Sequence, residues 1–141
     1  MHLPNYKNGS LVNLMATLAG ELGGVSPYGP LKGFKPEVLA GRNIILMVID
    51  ALGYEFLKRQ GRGSFLEKNL KQKITSVFPS TTAAGVTAFL TGLPAQQHGL
   101  TGWFLYLKEL GVVSRILPFT TRAGRISLAG SGVKFEDIFR E

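Results

Sequence analysis

The chain has 141 residues and 45% hydrophobic content, enough to bury one globular core. It contains no cysteine, which excludes disulfides, thiolate metal sites and cysteine nucleophiles, and no apolar run approaches the ~20 residues of a membrane span. The net charge of +7 comes from 16 Lys and Arg against 9 Asp and Glu, scattered without a dense stripe or a nucleic-acid motif, so a solvated surface accounts for it. The opening residues, MHLPNYKNGS, lack the basic and apolar regions of a secretory signal, and a cytoplasmic location is the expectation.

Ser10 to Leu22 places Leu11, Leu14, Met15, Leu18 and Leu22 at helical spacing, with Ser10 as N-cap and Gly23-Gly24 as the stop. Gly23 to Gly41 carries Pro27, Pro30 and Pro36 among glycines and reads as an irregular connection. Ile44 to Ile49 is a run of six apolar residues, the pattern of a strand buried on both faces of a parallel sheet. Asp50 ends the run, where open α/β sheets bind ligands. A helix N-cap is an equally simple role for that carboxylate.

Leu52 to Gln60 and Gly63 to Leu70 read as short helices broken around Gly61 and Gly63. Ile74 to Phe78 is then expected as a second strand, parallel to the first through a right-handed crossover, which puts Asp50 and the next loop at the same sheet end. That loop crosses Pro79 into Ser80, Thr81 and Thr82, and a helix of small residues follows from Ala83 to Leu90, stopped by Thr91-Gly92. The first turn of such a helix has unpaired N–H groups and the positive end of the dipole, so phosphate is stabilised there. A hydroxyl at that point serves either as a cap or as a phosphate-attacking nucleophile.

His98, in the PAQQHG turn, is expected to hydrogen-bond nearby backbone rather than to bind metal. Trp103 to Leu110 suits strand or helix, and Gly111 to Leu117 suits a strand. Thr120 to Gly132, with Arg122 and Arg125, reads as an exposed loop or hairpin, and Val133 to Glu141 as the start of a helix.

Strand, Asp50, a small residue and Gly53, followed about thirty residues later by FPSTT, a small-residue helix and TGLPAQQHG, resembles the type I phosphodiesterase/nucleotide pyrophosphatase branch of the alkaline phosphatase superfamily. The resemblance covers residues 43–119. It implies an α/β three-layer sandwich with a mostly parallel central sheet, of which residues 1–141 would be an incomplete N-terminal portion of one domain. By position it makes Thr82 the nucleophile that is transiently phosphorylated, with Asp50 and Thr82 touching metal and the Ala83 backbone N–H holding a phosphoryl oxygen. Two positions depart from the pattern. Ala51 stands where many members have Gly, and Gly85 where the nucleotide pyrophosphatases often have Asn.

The resemblance also implies two divalent metal ions, usually zinc, and a phosphate ester substrate. Three aspartates and three histidines besides the hydroxyl hold such a pair, whereas this chain has Asp50, Asp137, His2 and His98. The remaining ligands of the family lie in a later half with D-x-x-x-H and D-H signatures. The expectation is therefore a metal-dependent phosphodiester or pyrophosphate hydrolase whose nucleophile and one ligand lie here, inactive as this piece alone. A phosphate-binding or vestigial module without catalysis is the alternative.

Overall fold

The computed structural model describes residues 2–138. Helix α1 is Leu11–Glu21, and chemistry fixes its start. Ser10 is extended at φ −121° and ψ 172°, its hydroxyl accepts the Asn13 N–H, and its own N–H donates to Asn13 Oδ1 at 3.0 Å. These reciprocal bonds form a capping box. Asn13 is fully buried, and its Nδ2 donates to the carbonyls of Tyr6 and Gly29, both at 2.9 Å. One side chain thus ties the helix to the segments before and after it.

The N-terminal segment also grips the chain that leads into the threonine loop. Leu11 N–H donates to the Thr75 carbonyl and Thr75 N–H to the Gly9 carbonyl, each at 2.9 Å, making an isolated parallel bridge between Ser10 and Thr75. Three residues on, Phe78 N–H donates to the Tyr6 hydroxyl at 3.0 Å.

Helices α2 (Tyr54–Gln60) and α3 (Phe65–Lys68) are clipped together by a Lys58–Glu67 ion pair of 2.6 Å. Helix α4, Thr82–Thr91, ends at Gly92, whose φ of 70° is the left-handed C-cap that glycine adopts without strain. Its buried face is Ala83, Ala84 and Ala88. Small side chains let α1 approach closely, and Leu11, Val12, Val77, Ala84, Ala88 and Ala95 form the first core cluster.

After α5 (Ala95–His98) come three short strands, β1 (Phe104–Leu107), β2 (Val112–Arg115) and β3 (Thr120–Thr121), antiparallel in the order β1-β2-β3. Phe104 faces Arg115 and Leu107 faces Val112 across the hairpin. Leu107 and Ile116 join Leu100 and Leu128 in a second core cluster, against which Ile138 of α6 (Phe135–Ile138) packs. The helix expected over Val133–Glu141 is thus present as α6, and positions 139–141 lie outside the described residues.

Two expected strands do not form. Ile44–Ile49 is irregular, and Ile45 and Met47 are 88% and 77% exposed. Ile74–Phe78 is reduced to the single bridge at Thr75, made with Ser10 and not with residues 44–49. The parallel crossover unit is therefore absent among the described residues, and their one sheet is antiparallel. The physical reason is pairing: a run apolar on both faces needs strands on its edges and layers above and below, and the described residues supply neither. What the structure supports is a small α/β fold; the three-layer parallel sandwich is not seen in it.

Asn13→Ala should cost about 3 kcal/mol, since it strands the Tyr6 and Gly29 carbonyls, whereas Ser10→Ala should cost about 1 kcal/mol as a lost cap. Urea unfolding followed by far-ultraviolet circular dichroism measures both, and the reverse ranking would contradict this account of α1.

Candidate active site

Thr81 and Thr82 divide their labour at the start of α4. Thr81 is the N-cap, extended at φ −93° and ψ 156°, and its hydroxyl accepts the Ala84 N–H at 3.3 Å while donating to the Thr101 carbonyl at 3.0 Å. The capping role is thereby filled. Thr82 is the first helical residue and is exposed, so its hydroxyl is free to serve elsewhere. It donates to Asp50 Oδ2 at 3.3 Å. The other oxygen, Oδ1, accepts the Ala51 N–H at 2.9 Å. Residues 32 apart in sequence are thus brought together.

The N–H groups of Thr82 and Ala83 lie in the first helical turn, where the helix itself offers no acceptor. Ala83 is 1% exposed. Its N–H shares the helix N-terminus with the Thr82 hydroxyl, and the dipole favours an anion there. Gly85 is one turn further on the same face. A Cβ at Gly85 would meet nothing within 4 Å, so the cleft is open where an asparagine amide would otherwise project.

The cleft has a volume of about 590 Å³. Asp50 and Thr82 line it together with Ser80, and Lys73 is the one basic residue in its wall among the described residues. The Lys73 ammonium is held by Glu55 at 2.9 Å and lies 4.9 Å from the centre of the Tyr54 ring. Sequence reasoning missed this trio. Glu55 and Lys73 are 18 residues apart and in no motif, so only the chain's folding brings them together.

Asp50 Oδ2 and Thr82 Oγ1, 3.3 Å apart, are oxygen atoms of the kind a divalent ion takes. They would supply part of a coordination shell. They do not complete it, because no group of three His, Cys, Asp or Glu among the described residues could hold an ion. Asp137 is on α6, and neither it nor His2 lines the cleft.

His98 has a structural role. Its Nδ1 accepts the Leu100 N–H at 3.1 Å, the backbone bond expected of it. Burial pushes its pKa below the usual histidine value, against the raising effect of the Ala84 carbonyl and of its own backbone. Nε2 is buried, and no partner meets hydrogen-bond geometry there.

Ala51 occupies the left-handed region at φ 61°, where an L side chain is strained and glycine is not. This is the position where the resembling family often carries Gly. Ala51→Gly should therefore raise stability by about 0.5 kcal/mol, the released strain exceeding glycine's extra unfolded-state entropy. A fall in the urea midpoint would contradict it. For His98 the folded pKa is the depressed one, so its contribution is fully present above the unfolded value of 6.5 and is lost as pH falls below it. Unfolding free energy measured from pH 7.5 down to about 5 should decline, and His98→Gln should flatten that decline.

Neither the search of curated proteins nor that of solved structures found a match. The family model described as Type I phosphodiesterase / nucleotide pyrophosphatase matches residues 44–116, a little over half of the chain. Its first matched residue opens the apolar run into Asp50, and it continues through Thr82 and the first helical turn of α4 to the end of β2. The match covers more than half of the chain, and the chain belongs to the type I phosphodiesterase/nucleotide pyrophosphatase family.

Proposed function

We propose that Thr82 is the nucleophile of a phosphoric ester hydrolase acting on phosphodiesters or pyrophosphates, and that Asp50 holds a divalent ion beside it. The family supplies the reaction class. The observation that carries the assignment to these residues is the 3.3 Å contact between Asp50 Oδ2 and Thr82 Oγ1 at the head of α4.

Thr82 Oγ loses its proton to solvent and attacks phosphorus in line with the leaving oxygen, the bond to that oxygen breaks with its electron pair, the leaving oxygen takes a proton from water, and a phosphothreonine results. Water then cleaves the new ester and regenerates the hydroxyl. Asp50 orients Thr82 by accepting its hydroxyl proton in a hydrogen bond. The backbone N–H of Ala83, with the α4 dipole, stabilises charge on the phosphoryl oxygens. Thr81, already committed to the cap and to Thr101, holds the loop so that Thr82 faces the cleft. A divalent ion, zinc by resemblance, supplies Lewis acidity that lowers the pKa of the hydroxyl. Asp50 and Thr82 would be its ligands from this chain.

The incomplete donor set implies that further ligands are required. Residues 1–141 are accordingly read as the N-terminal part of one alkaline-phosphatase-like domain, in which residues 44–49 and 74–78 become strands of a mostly parallel sheet between helical layers. The exposed apolar run at residues 44–49 supports that reading. By itself the chain is expected to be inactive. A second reading, a phosphate-holding module without turnover, is favoured by the free N–H groups at the start of α4.

With a chromogenic phosphodiester and Zn²⁺, the 141-residue chain should show no turnover above a Thr82→Ala control. In a product of the same reading frame that includes D-x-x-x-H and D-H pairs, Thr82→Ala should lower kcat at least about 10³-fold. Turnover that survives Thr82→Ala there would overturn the nucleophile assignment. Phosphate binding by the 141-residue chain that survives both chelator and Thr82→Ala would support the second reading.

A further inference from the structure

Strand β1 is the open edge of the antiparallel sheet, with β2 on one side and, among the described residues, no strand on the other. The ladder fixes which of its backbone groups face that open side. Ile116 N–H donates to the Trp103 carbonyl at 3.0 Å, and Arg122 N–H donates to the Val113 carbonyl at 2.8 Å from the β3 side. Bonded and unbonded pairs alternate along an antiparallel ladder. Leu105 and Leu107 therefore bond to β2, opposite Ser114 and Val112, while the N–H and C=O of Phe104 and Tyr106 point outward. Among the described residues no hydrogen bond crosses that edge from either of them. Such a row of groups is a template for a further strand. Residues 103–107, WFLYL, carry none of the prolines or charges that protect an edge.

Charge selects the occupant. Residues 100–134 carry Lys108, Arg115, Arg122, Arg125 and Lys134 against Glu109 alone. Arg122 reaches across to β1, where its guanidinium carbon lies 5.0 Å from the centre of the Phe104 ring. Phe104 and Tyr106, 48% and 62% exposed, share the outer face of the sheet with it. The ion pairs of the described residues, Lys58–Glu67 and Lys73–Glu55, leave Arg122 out. We propose that β1 accepts an extended acidic segment of a partner protein as a fourth strand, antiparallel to it, in which carboxylates alternate with apolar residues. Directly opposite residues of an antiparallel pair share a face. The residues that bond Phe104 and Tyr106 thus lie on the outer face and are the acidic ones, beside the Arg122 guanidinium. Those between them lie on the face of Leu105, which packs against the second core cluster, and are apolar. A lipid surface offers no such series of backbone partners. A second copy of this chain would bring another Arg122 to the same face, cation against cation, between molecules of charge +7.

The surface uses neither Asp50 and Thr82 nor residues 44–49 and 74–78, so this inference is independent of the hydrolase reading. A fluorescein-labelled peptide of alternating Val and Glu should bind the 141-residue chain saturably in fluorescence anisotropy, and one of alternating Val and Lys should not. Arg122→Glu should weaken binding of the Val-Glu peptide at least tenfold and make the Val-Lys peptide the better ligand. N-methylation of the glutamates should abolish binding, because their N–H groups face β1, whereas N-methylation of the valines, whose N–H groups face away, should leave it intact. Absence of saturable binding, an affinity unchanged by Arg122→Glu, or equal tolerance of the two N-methylated peptides would each overturn the proposal. So would a concentration-dependent dimer in sedimentation equilibrium that Tyr106→Pro dissolves, which would give the edge to a second copy. Proline fits that position because the N–H it removes points away from the sheet, and circular dichroism checks that both variants keep their fold.

Discussion

The position of the candidate nucleophile depends on one buried amide. Asn13 completes the capping box with Ser10 and holds the carbonyls of Tyr6 and Gly29. Holding Tyr6 matters because its hydroxyl accepts the Phe78 N–H just before the threonine loop. Ser10 matters because its neighbours pair with Thr75 on the same approach. Through these contacts, α1 sets both the strand-like lead into the loop and, by packing on Ala84 and Ala88, the helix that leaves it. An unsatisfied amide or carbonyl in that place would cost a large fraction of the stability of a small domain.

The two halves of the candidate site are supported very differently. Thr82 stands on a capped ten-residue helix whose inner face is buried. Asp50 stands at the end of a segment without backbone pairing, followed by a residue in a strained conformation. Catalytic groups need positions fixed to a fraction of an ångström by their surroundings. The Thr82 side meets that condition, whereas residues 43–48, which lead to Asp50, make no backbone hydrogen bond among the described residues.

Local signals were legible wherever the residues that decide a feature are neighbours in sequence. Ser10 as N-cap, the break between α2 and α3, and the stop of α4 at Gly92 are settled by hydrogen bonds and dihedrals within a few residues. His98 likewise bonds the backbone two residues away. The start of α4 was read one residue late, because Thr82 propagates the helix while Thr81 caps it, and hydroxyl residues in series do not announce which will do so. The strands at Ile44–Ile49 and Ile74–Phe78 were misjudged for a different reason. Their composition is right for strands, but strand formation is a property of pairs, and the partners are not among the described residues.

Sequence alone determined the chemistry available: a hydroxyl at a small-residue helix, a carboxylate after an apolar run, no thiol, and a motif order specific enough to indicate a family. Those features depend on residue identity and short spacing, which the chain carries without folding. Only the tertiary structure decided that Thr81 caps α4 while the Thr82 hydroxyl turns to Asp50 at 3.3 Å, and that Lys73 shares their cleft. It also decided that the apolar run before Asp50 lies open. Such outcomes depend on contacts between residues tens of positions apart, and their energies exist only once the chain between them has been closed into a loop.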